Sequence, residues 1–144
     1  ADTKGAQHSR EDVHGRSLAH LYAQYLGAAF THEMKPFEIE ILVAEVGDSP
    51  DDDQLCRILY DGTVSDESGF AVLGGDSEAI TERLRESFTD GAGLGPALQA
   101  AVTALAGPDR TLAAADLEVA VLDRTIERRS FRRLADGEVA SVLS

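Results

Sequence analysis

The sequence predicts a single α+β domain, residues 1–144, in which antiparallel strands are covered by layers of helices. Two observations point to this class. Stretches that alternate with a period of two come in groups, and these groups stand between segments with helical spacing. The order is helix, three strands, two helices, two strands and helix, which differs from the βαβα alternation of a doubly wound parallel sheet.

The first half begins with a helix, predicted over residues 12–31, that leads into a central strand. Asp12 is a suitable N-cap, the apolar residues after it recur at helical spacing, and Pro36 ends the helix. In Phe37–Val46, apolar residues first alternate with glutamates, as in a strand with one face in the core. From Leu42 onward both faces are apolar, so this end is predicted to be buried on both sides.

An acidic loop and two further strands complete this half. Gly47–Gln54 is rich in turn residues and is predicted to be a solvated loop. Leu55–Tyr60 is the second predicted strand, and Asp61-Gly62 after it is a loose hairpin signal. Phe70–Leu73 is predicted as a short third strand.

Two helices open the second half. Asp76 or Ser77 is predicted to cap the first, which ends near Phe88 and has Leu84 on its buried face. A glycine-rich break precedes Pro96, a residue that suits the first turn of the next helix. The predicted buried face of that helix consists of Leu98, Ala101, Val102 and Leu105.

The chain ends with a strand pair and a short helix. Leu117–Leu122 alternates, Asp123–Glu127 turns the chain, and Arg128–Leu134 returns it as a strand. Asp136 is predicted to cap a last helix over Gly137–Leu143.

Composition and charge exclude several classes of partner. The formal net charge is −13, whereas nucleic-acid binding needs a basic footprint, so no nucleic acid is expected. No stretch approaches the roughly 20 apolar residues of a membrane span, so no membrane association is expected. Cys56 is the single cysteine, and no apolar signal core is present at the N-terminus. We therefore predict a cytoplasmic location.

The residue patterns offer no self-contained catalytic, metal or cofactor site. Asp51–Asp53 lacks the spacing of a calcium loop, and Gly91–Pro96 lacks the Lys-Ser/Thr of a phosphate loop and is interpreted as a turn between helices. Cys56 has no catalytic signature and is interpreted as a packed thiol. The four histidines lack the i, i+4 spacing of a zinc helix: His8, His14, His20 and His32.

One concentration of positive charge stands out in this acidic chain. Five arginines lie on or just before the last predicted strand, and we name them the arginine surface: Arg124, Arg128, Arg129, Arg132 and Arg133. They form a candidate contact surface for an acidic neighbouring protein. An edge strand that is protected by charge against unwanted pairing accounts for them equally well.

Collinear segments along the whole chain carry a family resemblance. They are Ala1–Gly5, Asp12–Gln24, Lys35–Glu40, Val43–Val46, Tyr60–Gly62, Phe70–Gly75, Leu117–Asp123 and Phe131–Arg133. Together they resemble the C-terminal part of actinobacterial proteasome α subunits. The resemblance implies a four-layer αββα sandwich of the Ntn-hydrolase type. Here the sandwich is expected to be incomplete, because the family's N-terminal third, with its first strands, has no counterpart in the sequence.

The resemblance also implies a non-catalytic subunit of the 20S proteasome core, active in intracellular protein degradation. In this family, α subunits form heptameric rings, hold the rings of β subunits, gate the entrance and receive the tails of a hexameric ATPase. Proteolysis belongs to β subunits, which use an N-terminal threonine. Residue 1 here is Ala1, and Thr3 falls in an internal family segment, so no proteolytic activity is expected.

Two expectations follow from this comparison. With the family's first strands absent, an unpaired strand edge and an apolar patch should remain, which self-association or domain swapping would cover. The alternative hypothesis is a free-standing α+β protein-binding module that uses the arginine surface to contact its partner.

Overall fold

The structure, a computed structural model, describes Ala19, residues 39–127 and residues 130–144. These residues confirm the α+β class, with antiparallel sheets and three helices. The chain divides into two compact units, Ala1–Leu73 and Gly74–Ser144, and each is described by itself. The predicted helix over residues 12–31 lies outside the described residues except for Ala19, which is helical.

A three-stranded antiparallel sheet forms the first unit's described part. Its strands are β1 (Ile41–Glu45), β2 (Gln54–Ile58) and β3 (Val64–Asp66), in the order β1-β2-β3. Strand β1 lies within the predicted Phe37–Val46, and β2 begins one residue before the predicted Leu55–Tyr60 and ends two residues earlier. Ser49 precedes a short 3-10 turn, Pro50–Asp52, within the exposed acidic loop, as the turn residues predict.

One face of this sheet forms the core of the unit. Cross-strand pairing sets Val43 opposite Cys56 and Ile41 opposite Ile58, so these side chains share a face. Cys56 and Ile58 are fully buried and pack with Ala19, while Ile41, Val43 and Val64 cover the cluster. Ile41 and Val43 thus face the core as predicted, whereas Ile39, also predicted to face inward, precedes β1 and is 42% exposed.

The expectation of burial on both sides from Leu42 onward is wrong for this structure. Leu42 and Ala44 are exposed, whereas Ile41 and Val43 are half-buried. The reason is a charged neighbour: Leu42 pairs across the sheet with Arg57, so these two side chains lie on the same face. That guanidinium forms an ion pair with Glu67, with the Nε and Oε1 atoms 3.1 Å apart, so this face carries charge.

The third strand is β3 and not Phe70–Leu73, which contains no strand. The tight turn after β2 explains the difference. Asp61 Oδ1 accepts a hydrogen bond from the Thr63 N–H at 2.9 Å, and Gly62 adopts a left-handed φ of 85°. The chain therefore reverses within a few residues, and Val64 pairs directly with Ile58. The hydrogen bonds from Thr63, those of its side chain first, also lower the pKa of Asp61.

Three helices are described in the second unit. They are α1 (Ser77–Ser87), α2 (Leu94–Ala106) and α3 (Asp136–Leu143), and the first two agree with the predicted segments. The strands β4 (Ala120–Leu122) and β5 (Phe131–Arg133) pair as an antiparallel hairpin, shorter than predicted. Helix α2 packs against α1 and α3, and the buried residues of the unit are Leu84, Ala104, Leu134 and Val139.

The predicted buried face of α2 is confirmed in part, because Leu98, Ala101 and Val102 are half-buried. Ala104 is its buried residue, and Ala97 and Ala100 on the same side are half-buried. Leu105, predicted to be buried, is 40% exposed. Small side chains allow the backbones of packed helices to approach closely. Here Nε of Arg83, on α1, donates a hydrogen bond to the Ala104 carbonyl of α2 at 2.8 Å. The alanine side therefore packs within the unit.

The start of α3 also differs from the prediction. Asp136 is the first helical residue and not the cap, because Ala135 occupies the N-cap position. Alanine has no side-chain acceptor, so Glu138 supplies the capping interaction by accepting a hydrogen bond from the Ala135 N–H at 3.1 Å. Among the described residues, no helix is long and apolar enough to cross a membrane.

Gly47 offers a test of packing in the first unit. A Cβ at this position would lie 2.3 Å from Asp52 Cβ and 2.8 Å from the Asp52 carbonyl carbon, so the backbone of the loop would have to move. We expect Gly47→Ala to lower the free energy of unfolding by about 1–3 kcal/mol, measured by urea denaturation. Gly137→Ala is the control, because a Cβ there meets no atom within 4 Å. An unchanged stability for Gly47→Ala would contradict the close approach of Gly47 to Asp52.

Candidate protein-contact surface

The β4–β5 hairpin carries the described part of the arginine surface. Leu122 pairs with Phe131, Val121 with Arg132, and Ala120 with Arg133. The pairing continues beyond both strands, because the Asp123 N–H donates to the Ser130 carbonyl and the Leu134 N–H to the Val119 carbonyl, each at 2.8 Å. This register places Arg132 and Arg133 on opposite faces of the hairpin.

The turn of the hairpin is held by Asp123. Its Oδ1 atom accepts hydrogen bonds from the Thr125 N–H at 2.9 Å and from the Thr125 hydroxyl at 2.6 Å. These bonds, that of the hydroxyl first, lower the pKa of Asp123, and the positive charge of Arg132 adds to the effect. Asp123 is therefore an ionised structural group of the turn.

Arg132 connects the hairpin to α3. Its NH1 atom donates to Oε1 of Glu138 at 2.7 Å, while Oε2 of the same carboxylate accepts the Ala135 N–H. The pKa of Glu138 is lowered, first by the backbone bond from Ala135 and then by Arg132. One carboxylate thus joins β5 to the first turn of the helix.

Arg133 pairs on the other face of the hairpin. Its NH2 atom lies 2.6 Å from Oε1 of Glu118, and the Arg133 side chain remains 63% exposed. Exposed pairs of this kind contribute little to folding, so this guanidinium is accessible to another protein. Phe131, its neighbour in the strand, is 64% exposed, which adds an apolar group to the same surface.

The other members of the arginine surface are only partly described. Arg124 is exposed in the turn, while Arg128 and Arg129 lie outside the described residues. The described arginines do not form a bare cationic patch, because Arg132 and Arg133 each have a carboxylate partner. The surface is therefore a set of exposed ion pairs beside apolar side chains.

The sequence-based reasoning missed both carboxylate partners. Glu118 stands two residues before Ala120, the residue opposite Arg133, so it is a diagonal cross-strand neighbour. Glu138 stands three residues after the N-cap position, where a glutamate commonly reaches back to the helix start. Strand register and helix phase, if known in advance, would have predicted both pairs.

The remaining candidate groups have structural roles. Cys56 is buried and its thiol lies 3.3 Å from Asp66 Oδ1, which agrees with the predicted packed thiol. In the acidic loop, Asp53 Oδ1 accepts the Gly47 N–H and Asp52 Oδ2 accepts the Ser49 hydroxyl. The part of the chain that the structure describes holds no group of three side chains suited to a metal ion, and all four histidines lie outside it.

The lowered pKa of Glu138 predicts a stability difference that depends on pH. A carboxylate whose pKa is lower in the folded state stabilises the fold above its unfolded-state pKa, and this contribution disappears as the pH falls through the folded-state value. We expect Glu138→Gln to lower the melting temperature at pH 7 and to have a smaller effect below about pH 4. Thermal unfolding at several pH values measures this, with Glu86→Gln, an exposed glutamate of α1, as the control. A difference that stays constant with pH would contradict the assignment.

Three proteins similar to this chain are all named proteasome subunit alpha. The chain is 56% identical over 143 residues to proteasome subunit alpha of Acidimicrobium ferrooxidans, covering 99% of this chain and 62% of that protein. It is 50% identical over 145 residues to proteasome subunit alpha of Streptosporangium roseum, covering 100% of this chain and 56% of that protein.

A third relative gives the same result. The chain is 49% identical over 154 residues to proteasome subunit alpha of Kineococcus radiotolerans, covering 100% of this chain and 65% of that protein. The chain thus spans between 56% and 65% of the length of these three relatives. No protein-family profile matches it. Similarity at this level, along essentially every residue, confirms the resemblance found in the sequence, and the chain belongs to the proteasome α-subunit family.

Proposed function

We propose that this chain acts as a non-catalytic α-ring subunit of the 20S proteasome core. The observation that carries the proposal is identity of 49% to 56% with proteasome α subunits over 99% to 100% of the chain. The proposed role includes ring assembly, gating of the entrance and docking of a hexameric ATPase, for protein degradation in the cytoplasm. The proposed partners are further α subunits in a heptameric ring, the β subunits and that ATPase.

We also propose that the complete subunit is one domain with the four-layer αββα architecture of Ntn hydrolases. Each described sheet supports this proposal, because each has apolar side chains on an exposed face: Leu42 in the first unit, and Leu122 and Phe131 in the second. Large apolar side chains on an exposed face, even beside ion pairs such as Arg57–Glu67, are typical of a sheet that a further layer covers.

A non-catalytic role agrees with the chemistry of the described residues. Proteolysis requires a nucleophile with an adjacent general base. The thiol of Cys56 is buried next to a carboxylate, and the Asp123 and Glu138 carboxylates have lowered pKa values, which makes them poor proton acceptors at neutral pH. In the proposed complex, peptide hydrolysis therefore belongs to the β subunits.

Assembly with a β subunit tests the proposed function. We expect co-expression of the gene's full coding sequence with a proteasome β subunit from the same genome to give stacked-ring barrels in negative-stain electron microscopy. The β subunit expressed alone is the control for barrels that form without this chain. Peptidase activity should be lost when the β subunit's N-terminal threonine is replaced by alanine. If neither barrels nor a complex with the β subunit form, the proposed role in the core is wrong.

The arginine surface is proposed as a contact for an acidic part of a neighbouring subunit. Arg133 suits this role because its guanidinium stays largely exposed despite the pair with Glu118. We expect Arg133→Gln to weaken each subunit contact by about 0.2–1 kcal/mol, so that barrels dissociate at lower salt. Arg85→Gln is the matched control, since Arg85 is also exposed and paired with a glutamate, but lies on α1. Equal salt stability of both variants would assign Arg133 to the protection of an edge strand.

A further inference from the structure

Three aspartates of this chain are followed directly by glycine, and such a dipeptide can rearrange chemically. They are Asp61, Asp90 and Asp136. A glycine has no side chain to shield its amide nitrogen, so that nitrogen can approach the carboxyl carbon of the preceding aspartate closely. The sequence contains no asparagine, so deamidation of Asn-Gly, the faster route to the same product, does not compete here.

The Asp90-Gly91 peptide has the geometry that ring closure needs. The Gly91 N–H donates to the Asp90 carboxylate, with the nitrogen 3.1 Å from Oδ1, so the nitrogen lies beside Cγ, the carbon bonded to Oδ1. Groups of one molecule that are held about 3–3.5 Å apart react with the full advantage of proximity. Both residues are exposed, in the loop between α1 and α2. The carboxyl group of Asp90 is thus folded back onto the next peptide of the chain.

The loop around this peptide leaves room for the product. The Thr89 carbonyl accepts the Ala92 N–H at 3.2 Å, which closes a four-residue turn, and Gly91 has a left-handed φ of 71°. A Cβ at Gly91 or at Gly93 would meet no atom within 4 Å. A ring at this position, and the longer main chain that follows from it, can therefore form without displacing packed groups.

The Asp61-Gly62 peptide is protected by its hairpin turn. The Asp61 carboxylate accepts the Thr63 N–H at 2.9 Å, so it is directed to the residue after Gly62. The Gly62 N–H donates to the Leu59 carbonyl, also at 2.9 Å. Water can leave only from a neutral carboxyl group, and the lowered pKa of Asp61, caused first by the Thr63 hydroxyl, keeps this one ionised.

The Asp136-Gly137 peptide is protected by helix α3. Both residues lie in its first turn, after the N-cap Ala135. Ring closure would rotate the peptide between them out of the helical φ/ψ region. The Glu138 carboxylate opposes this movement, because it accepts the Ala135 N–H at 3.1 Å and holds the start of the helix.

We propose that Asp90-Gly91 is a site of spontaneous isomerisation to isoaspartate in the folded chain. The Gly91 nitrogen forms a bond to Cγ of Asp90, and its proton leaves with the carboxyl hydroxyl as water. A second water then adds to the main-chain carbonyl carbon of Asp90 in the succinimide ring. The bond from this carbon to the Gly91 nitrogen breaks, and the nitrogen regains a proton. The main chain now runs through the Asp90 side chain and is one carbon longer, while its mass is unchanged.

The product changes the connection between α1 and α2. One more main-chain carbon between Thr89 and Ala92 does not fit the four-residue turn, so the hydrogen bond that closes the turn is lost. The two helices pack against each other, and this loop joins them. We therefore expect the isomerised chain to melt at a lower temperature than the fresh chain.

Ageing of the 144-residue chain in water labelled with heavy oxygen tests the proposal, because each ring opening incorporates one labelled oxygen. Trypsin separates the three sites, since cleavage after arginine places them in residues 58–83, 86–110 and 134–144. Mass spectrometry measures the label in each peptide, and electron-transfer fragmentation locates the isoaspartate. We expect labelling at Asp90 to be at least about tenfold faster than at Asp61 or Asp136. In guanidinium chloride, which removes the fold, the three sites should react at similar rates.

Two variants test the chemistry of the site. Asp90→Glu keeps the charge and should abolish the labelling, because the equivalent ring has six members and closes far more slowly. Gly91→Ala should slow the labelling, because a methyl group shields the attacking nitrogen. Gly93→Ala is the matched control in the same loop, since its Cβ also meets no atom within 4 Å. Circular dichroism checks that all three variants keep the fold.

The proposal is overturned if the folded chain takes up no label at Asp90, or takes it up no faster there than at Asp61 and Asp136. A Gly91→Ala variant that reacts as fast as Gly93→Ala overturns it as well. A preference for Asp90 that persists in guanidinium chloride would show that the folded geometry is not its cause. These outcomes do not depend on whether barrels form with a β subunit.

Discussion

Direct pairing between antiparallel strands is the constraint on which both described units depend. Because successive side chains of a strand point to opposite faces, the register decides which residues meet. In the first unit it brings Val43 and Cys56 together on the core side. In the second it separates Arg132 from Arg133, so that each meets its own carboxylate. The same rule therefore builds a core in one place and a polar surface in the other.

Packing between the helices follows a different rule, in which small residues decide the contact. In α2 the alanine side packs inside the unit, and the Arg83 guanidinium reaches the Ala104 carbonyl near the end of the helix. Leu94 and Leu105 at the two ends of α2 stay exposed, and no residue of α2 is charged. The second unit thus presents two different surfaces, one with ion pairs on the hairpin and one without charge on α2. The first is the surface proposed to contact an acidic part of a neighbouring subunit.

The proposed role as a proteasome α subunit rests on similarity to such subunits along essentially the whole chain. In that proposed role, the chain needs surfaces for neighbouring proteins more than it needs reactive groups. The described residues fit that requirement, because their lowered carboxylate pKa values arise from turn and cap hydrogen bonds. The thiol of Cys56 is likewise part of the core.

The sequence by itself determined the α+β class, the positions of the helices α1 and α2, the inward side chains Ile41 and Val43 of β1, and the family. The reason is that periodicity, turn residues and collinear similarity are all local or linear signals. Only the tertiary structure decided that β3 is Val64–Asp66, that Ala104 is the buried residue of α2, and that Glu118 and Glu138 pair with arginines. A helix with two apolar sides can pack through either one, and periodicity does not choose between them. Likewise, the partner of an arginine depends on strand register and helix phase, which are fixed only when the elements meet.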